Sequence, residues 1–456
     1  MISPLHQTAN EHPNLLALAS SNGSISYRQL SAQVLALGQS LRQAGLGRGC
    51  RLGVISHNSL AMVSLYWACI DEGIVFMPIS PRFPPKQINQ LLQRFSIDHI
   101  YNPGKMAGLV GCAITPNFNG QLAIQAPNID SHQAANVILT SGSSGQPKAA
   151  VHSLANHIHS AQGSAQIIPL HAGDRWLLSL PLFHIGGLAI LNRCAIAGAC
   201  VQLMSDEPLS LQVPQVSHVS LVATQLQRLV DNHCDLSGLK AMLLGGGAIS
   251  SQLQAVLAKH HIQAFCSYGM TEMSSQICTG QINNRGLSGR LLPERQLDIR
   301  DGIIWVKGAT LFLGYLSDTG LALPLDPQGW FCTNDCGHWS NDGQLTVTGR
   351  SDNMFICGGE NIQPEEIEAL LTQLDAVSNA IVFPVPNHEF GLLPAAIIRW
   401  AGDTRLSQDE LNQAILPQLA QFKRPRQYWL WPEDAPEMGI KVNRQQVIAL
   451  ARQGID

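Results

Sequence analysis

Charge is scarce in this chain of 456 residues: only 13% of it is charged, and 28 basic against 32 acidic side chains leave a net −4. That balance excludes a general nucleic-acid binder or a protein drawn to anionic membranes. The basic residues are scattered, and the short cluster from Lys423 to Arg426 is broken by Pro425. Long apolar runs are also missing. The most apolar stretch, Trp176 to Met204, is interrupted by Pro181, His184, Asn192 and Arg193, so no stable membrane insertion is expected. The opening residues, MISPLHQTANEHPN, lack the basic start and apolar core of a secretory signal. Regular cysteine spacing is absent as well. Eleven cysteines, an odd number without pattern, fit a reduced, cytoplasmic compartment better than a disulfide framework. Cys332 and Cys336 have no matching His/Cys pair nearby, so zinc is not expected. Neither an internal repeat nor a low-complexity tract is visible. What is present is 45% hydrophobic residues and 40 glycines, the composition of an ordered α/β protein with many tight turns. The length exceeds one ordinary core, so at least two domains are expected.

Along the chain, helical and strand patterns alternate. Helices are expected over 25–47, Ser59–Asp71, Pro84–Phe95, Leu154–Gln166, Gly186–Ala197, Leu221–Val230 and Ser251–His260. Strands are expected at Arg51–Ser56, Ile74–Ile79, His99–Tyr101, Trp176–Leu180, Ala199–Met204, Ala241–Leu244 and Gln263–Ser267. Such alternation indicates βαβ units and a largely parallel sheet. From about Asn283 to Gly349 short β segments dominate, as at Gln296–Ile299 and Ile303–Lys307, which reads as a small β-rich subdomain or barrel. After Arg350 helices at Pro364–Leu374, Gln408–Leu419 and Asn443–Gln453 surround strands at Ala376–Val385 and Ala395–Trp400. This is an α+β unit of about a hundred residues, the size of one domain.

The chemistry gathers in ordered strings. Val137-Ile138-Leu139 reads as a buried strand that enters Thr140-Ser141-Gly142-Ser143-Ser144-Gly145-Gln146-Pro147-Lys148. Its glycines allow φ > 0 and a close backbone approach. Its hydroxyls, free N–H groups and Lys148 can surround a polyphosphate. The spacing is not that of a Walker P-loop, and a Ser/Gly-rich surface loop has the same composition. Leu180-Pro181-Leu182-Phe183-His184 ends a strand before Gly186-Gly187, the place where open α/β sheets bind ligands; a structural histidine is the alternative. Leu243-Leu244-Gly245-Gly246-Gly247-Ala248 is a triple-glycine loop, weak evidence alone. In Ser267-Tyr268-Gly269-Met270-Thr271-Glu272, Tyr268 offers a face on which a base can stack. Glu272 offers the kind of oxygen that Mg²⁺ takes beside phosphate, unless the Thr271/Glu272 pair merely caps a helix. Gly329-Trp330-Phe331-Cys332-Thr333-Asn334-Asp335 ends in a carboxylate able to accept two ribose hydroxyls, or in an ordinary Asx turn. Gly349-Arg350-Ser351-Asp352-Asn353 and the Gly358-Gly359 pair follow. Gly439-Ile440-Lys441-Val442-Asn443-Arg444 precedes the last helix, where a lone lysine is usually a surface charge.

Taken in order, these strings resemble the adenylate-forming superfamily of acyl-CoA synthetases, adenylation domains and luciferases. The resemblance spans nearly the whole chain, from Thr140 to Lys441. It implies a large N-terminal domain (residues 1–351) of parallel-sheet βαβ subdomains with a small β-barrel, followed by a small mobile α+β C-terminal domain (352–456). It implies ATP binding by Thr140, Ser141, Gly142, Ser143, Ser144, Gly145, Lys148, Gly246, Tyr268, Thr271, Asp335 and Arg350. Mg²⁺ would sit on Glu272. His184 would face the acid, Lys441 would serve the adenylation step, Asp352 would be the hinge, and Gly358 and Gly359 would line the path of coenzyme A. Asn334, Asn353 and Ile440 depart from the family's usual pattern; Asn tolerates a left-handed φ better than most residues, so the turn at Asn334 can survive.

The chain is short for an acyl-CoA synthetase, and its overall cast resembles the branch that activates o-succinylbenzoate with ATP and passes it to coenzyme A in menaquinone or phylloquinone biosynthesis. The supporting strings are Pro181–His184 with Arg193 nine positions on, Tyr268–Met273, Ile304–Gly308 and Gly358–Ile362. That substrate is an aromatic dicarboxylic acid. Arg193 is the candidate to hold its second carboxylate with a bidentate fork; a surface arginine is the alternative. Gly187-Leu188 stands where related ligases often carry polar residues. A ligase for a different acid, a stand-alone adenylation domain, and a non-catalytic nucleotide binder stay open on sequence alone, as does a homo-oligomer.

Overall fold

Continuous buried runs such as Val75–Ile79, in which every residue is buried, need cover on both faces, and helices supply it. The computed structural model describes residues 1–120, 125–140, 147–245, 251–259, 263–282, 288–317, 320–357, 360–387, 391–435 and 442–453. Two large sheets carry the first part of the chain. The eight-stranded one runs in the spatial order 320–322, 314–317, 148–153, 134–140, 75–79, 51–55, 99–101, 112–113. Its centre is parallel, with Arg51 beside Val75 and Phe76 beside Asn136. Its end nearest the candidate site is antiparallel, with Thr140 opposite Lys148 and Gly314 opposite Val151.

The nine-stranded sheet is ordered 290–291, 275–281, 264–270, 241–244, 218–221, 175–177, 200–202, 16–20, 23–26. It too is parallel at its centre and antiparallel at its flanks. Helices Tyr27–Gln43, Leu60–Glu72 and Ile185–Ala197 contribute to one buried cluster that reaches both sheets, from Leu52 and Phe76 to Trp176 and Phe265. The Leu60–Glu72 helix shows how local signals bound such an element. The Ser59 hydroxyl accepts from the Met62 N–H at its start, and Gly73 closes it with φ 66°, since glycine enters the left-handed region without a Cβ clash.

Residues 295–300, 303–308, 331–339 and 345–350 form a four-stranded antiparallel sheet. Beyond it, strands Val377–Asn387, Gly391–Trp400 and Gln427–Leu430 make a three-stranded sheet. Ile367, Leu371, Val382, Ile398 and Leu411 fill one of its faces, and Phe383, Ile397 and Val447 the other.

Several boundaries differ from those read off the sequence. The strand expected over Trp176–Leu180 stops at Leu177, because the next turn is tied down by Asn58. Leu221 closes a strand, His218–Leu221, and the helix begins only at Ala223: the β-branched and apolar run pairs in the sheet before the helical period starts. The helix Pro4–Glu11 and the hairpin Leu16–Ser20/Gly23–Ser26 were not expected at all. Among the described residues no helix is long and apolar enough to cross a membrane.

Candidate active site

Strands Ala134–Thr140 and Lys148–Ser153 are antiparallel partners in register at Thr140 and Lys148. Thr140 and Lys148, the two ends of the candidate phosphate-binding string, therefore face each other in the eight-stranded sheet. Lys148, at its exit, places its ammonium 5.0 Å from the centre of the Tyr315 ring. The Tyr315 hydroxyl in turn donates to Glu272 Oε1 at 2.6 Å. Burial, then the Glu272 charge, pushes the Tyr315 hydroxyl well above its usual range, so it remains a donor. Glu272 sits in a short 3-10 turn, Thr271–Met273, and is buried. Gly269 permits this turn: a Cβ there would lie 2.0 Å from the Ser275 carbonyl oxygen.

A second chain of contacts runs through the ribose-type carboxylate. Tyr268 donates its hydroxyl to Asp335 Oδ2 at 2.6 Å, and Arg350 Nη1 donates to Asp335 Oδ1 at 3.0 Å. Arg350 also forks onto Asp352, Nε to Oδ1 at 2.8 Å and Nη2 to Oδ2 at 2.7 Å. The Asp352 fork is the first cause that raises the Arg350 pKa, and Arg350 in return holds Asp352 below the usual carboxylate range. Tyr268 and Arg350 thus fix both oxygens of the Asp335 carboxylate, the group proposed from the sequence to meet ribose hydroxyls. Tyr268 is only 9% exposed and its ring packs with Ile277 and Phe312, so a base would meet it along a narrow strip. Asn334 adopts φ 59°, the left-handed geometry that the residue at this turn was expected to need.

The candidate acid side is built on the helix Ile185–Ala197, with His184 at its N-cap. Asn58 ties the approach to it: its Nδ2 donates to the Leu178 and Leu180 carbonyls and its Oδ1 accepts from the Leu182 N–H. The His184 ring stands edge-on to Phe183 at 4.9 Å. Arg193 lies on the same helix, about two and a half turns further along. It is buried, with Nη2 donating to Gln276 Oε1 at 2.6 Å and to Ser275 Oγ at 3.4 Å, and its carbon centre lies 5.3 Å from the Trp176 ring. Its Nε has no partner. Among the described residues no carboxylate pairs with it. Burial lowers its pKa to about 10, which leaves it charged at neutral pH.

The structure thus brings Lys148, Glu272, Tyr268, Asp335, Arg350 and Asp352 into two connected sets of contacts. Ser141, Gly142, Ser143, Ser144, Gly145, Gly246, Gly358, Gly359 and Lys441 lie outside the described residues. Sequence reasoning missed Tyr315, Asn58, Asn136, His152 and Gln276. Tyr315 is 43 positions from the Glu272 it holds, and no local pattern announces such a pairing.

A family model described as "AMP-binding enzyme" matches residues 5–316, more than half of the chain. The 2-succinylbenzoate–CoA ligase of Escherichia coli (strain K12) is 33% identical over 433 residues, covering 94% of each chain. Among solved structures, an E. coli MenE variant with bound OSB-AMS superimposes with a TM-score of 0.88 at 31% identity, covering 99% of this chain and 98% of that one. Bacillus subtilis MenE, in complex with ATP and magnesium ion, gives 0.86 at 26% identity, covering 98% and 99%.

Proposed function

The chain belongs to the AMP-binding enzyme family, and on that footing we propose that it activates o-succinylbenzoate with ATP and transfers the acyl group to coenzyme A. A carboxylate is a poor acyl donor because its charge repels nucleophiles and its oxygen leaves badly. Attack of that oxygen on the α-phosphorus of ATP replaces it with a phosphate leaving group and releases pyrophosphate. The coenzyme A thiol then attacks the acyl carbon, AMP departs, and the thioester forms. This is a step of menaquinone or phylloquinone biosynthesis.

The site residues take their roles from this chemistry. Thr140, Lys148 and the intervening loop cradle the β- and γ-phosphates. Asp335 accepts the ribose hydroxyls and Arg350 holds Asp335 in place, while Tyr268 and Gly246 border the adenine. Glu272, a buried oxygen donor steadied by Tyr315, suits a hard cation. Magnesium there supplies positive charge to the phosphate oxygens. Lys441 acts in the adenylation step. The part from 352 onward then turns about Asp352 and brings Gly358 and Gly359 toward the thiol, a hinge motion. The separation of the buried clusters on either side of Arg350 supports the division into 1–351 and 352–456. The eleven free thiols support a cytoplasmic setting.

The observation that carries the choice of acid is Arg193. It is a charged, buried guanidinium bonded to neutral groups, and burying charge without compensation is costly. The second carboxylate of an aromatic dicarboxylic acid would supply the missing counter-charge, with His184 bordering the acid pocket. The test is a panel of aromatic mono- and dicarboxylic acids, scored with ATP and magnesium for pyrophosphate and coenzyme A thioester. The dicarboxylate should be turned over best; preference for a monocarboxylate, or for a carrier protein over coenzyme A, overturns the reading.

A further inference from the structure

The strand that runs from Lys148 to Ser153 carries a polar side chain on its buried side. His152 is fully buried, and its Nε2 lies 2.7 Å from the carbonyl oxygen of Thr271. Its Nδ1 lies 3.3 Å from Asn136 Nδ2, and Asn136 Oδ1 lies 2.6 Å from His157 Nε2. Asn136 and His157 are buried too.

The direction of this chain of bonds follows from its end. A carbonyl only accepts, so His152 must carry its proton on Nε2. Nδ1 then accepts from the Asn136 amide, whose oxygen accepts from His157 Nε2–H. The last atom, His157 Nδ1, has no partner. Burial keeps both rings neutral, lowering the His152 pKa to about 4 and that of His157 well below its ordinary value. A buried polar network is costly where a bond is missing, and here the unmade bond lies at the outer end, on His157 Nδ1. This one terminates on the backbone next to Glu272.

That turn is held on every side. The Glu272 carbonyl accepts from the Phe312 N–H at 2.8 Å. Ser160 Oγ donates to the Ser274 carbonyl at 2.7 Å, and Ser274 Oγ donates to the Thr310 carbonyl at 2.9 Å. The two residues that leave the turn, Ser274 and Ser275, adopt φ of 54° and 113°. Such backbone persists only where its surroundings over-determine it. Of these ties, the His152 bond is the one that comes from the strand leaving the phosphate-loop hairpin.

We propose that His152 is a positioning residue for the ATP half-reaction. Its Nε2–H bond to the Thr271 carbonyl holds the Thr271–Glu272 turn in fixed register with the strand that begins at Lys148. The Glu272 carboxylate and the Lys148 ammonium are then preset to meet the same phosphate group, with Asn136 and His157 fixing the tautomer. The inference rests on the reading of Glu272 as the magnesium carboxylate.

The test titrates magnesium in acid-dependent pyrophosphate release by the full-length enzyme. Gln at 152 keeps an amide donor near the reach of Nε2, whereas Asn is too short. His152→Asn should raise the magnesium concentration for half-maximal rate about ten-fold, the lower end for loss of an outer-shell partner, and leave KM for the acid within about two-fold. His152→Gln should return the magnesium dependence to within about three-fold of the native enzyme. Equal defects in the two variants, or a rise confined to KM for the acid, overturn the proposal. Glu272→Gln serves as the reference: if it leaves the magnesium dependence unchanged, the reading of Glu272 fails and the inference falls with it. In the native enzyme labelled with ring-¹⁵N histidine, the Nε2–H resonance absent from His152→Gln should shift on adding ATP with magnesium but not ATP with EDTA. A resonance indifferent to magnesium overturns the proposal even where His152→Asn is not recovered folded.

Discussion

A buried guanidinium calls for a counter-charge, and at Arg193 only neutral partners are in place among the described residues. Arg193→Ala is therefore expected to raise KM for o-succinylbenzoate by about ten-fold or more, the worth of a hydrogen bond to a charged group, while KM for ATP stays put. Steady-state kinetics with each substrate varied in turn decides this; an equal rise in both constants removes Arg193 from the acid pocket. Asn334 is a second case in which one residue carries a local rule. Its φ of 59° suits Asn better than most side chains, and this much was legible from a turn motif with Asn in place of Gly. Tyr315 was not legible. Nothing around it in the sequence distinguishes it from a core aromatic, and its role comes from a hydroxyl that reaches from one large sheet to Glu272, in a turn of the other.

At the scale of elements, the proposed acid side depends on how closely one helix approaches the loop before it. A Cβ on Gly187 would stand 2.2 Å from the Pro181 carbonyl oxygen. Gly187→Ala must push the first turn of the Ile185–Ala197 helix away from the Pro181–His184 loop. We expect a loss of about 1–3 kcal/mol, typical of overpacking, visible as a lower denaturation midpoint, and a larger rise in KM for the acid than for ATP. Unchanged values of both would show that the loop adapts. The glycine was noticed in the sequence as a departure from polar residues in related ligases; the close approach that requires it emerges only when the loop and helix are packed. The hairpin around the phosphate loop is similar. Its first strand was evident from Val137-Ile138-Leu139, whereas its antiparallel partner from Lys148 to Ser153 joins the sheet through pairings that no local period encodes.

For the molecule as a whole, buried neutral histidines set a dependence on pH. The folded pKa of His152, about 4, lies below its ordinary value near 6.5. Between these values the unfolded chain binds more protons than the folded one, so stability falls as pH falls. From pH 7 to pH 5, His152 alone should account for about 2 kcal/mol of that fall. Denaturant midpoints at the two pH values check it: the native enzyme should lose more stability on acidification than His152→Gln, and parallel losses would contradict the assignment. The division of labour between the two parts of the chain gives another expectation. Lys441→Ala should cripple adenylate formation but spare thiolysis of supplied acyl-adenylate. Asp352→Pro, which stiffens the hinge and removes the fork to Arg350, should do the reverse. Single-turnover assays of each half-reaction separate them, and equal loss of both steps in Lys441→Ala would contradict its role.

The order of Thr140–Lys148, Glu272, Asp335, Arg350 and Lys441 along the chain was enough to state the reaction class, because together these strings resemble one superfamily, although each alone leaves a structural alternative open. Alternating helical and strand periods were likewise enough for the α/β architecture, since period is set by which face of each element is buried. Tertiary structure alone decided that Tyr315 steadies Glu272, that Asn58 ties down the loop before His184, that Arg193 is buried without a carboxylate partner among the described residues, and that His152 reaches the turn beside Glu272. These are contacts between elements far apart in sequence. Their existence depends on sheet order and on burial, which turns a polar side chain with an unremarked neighbour into one that must be bonded, and no spacing along the chain expresses that.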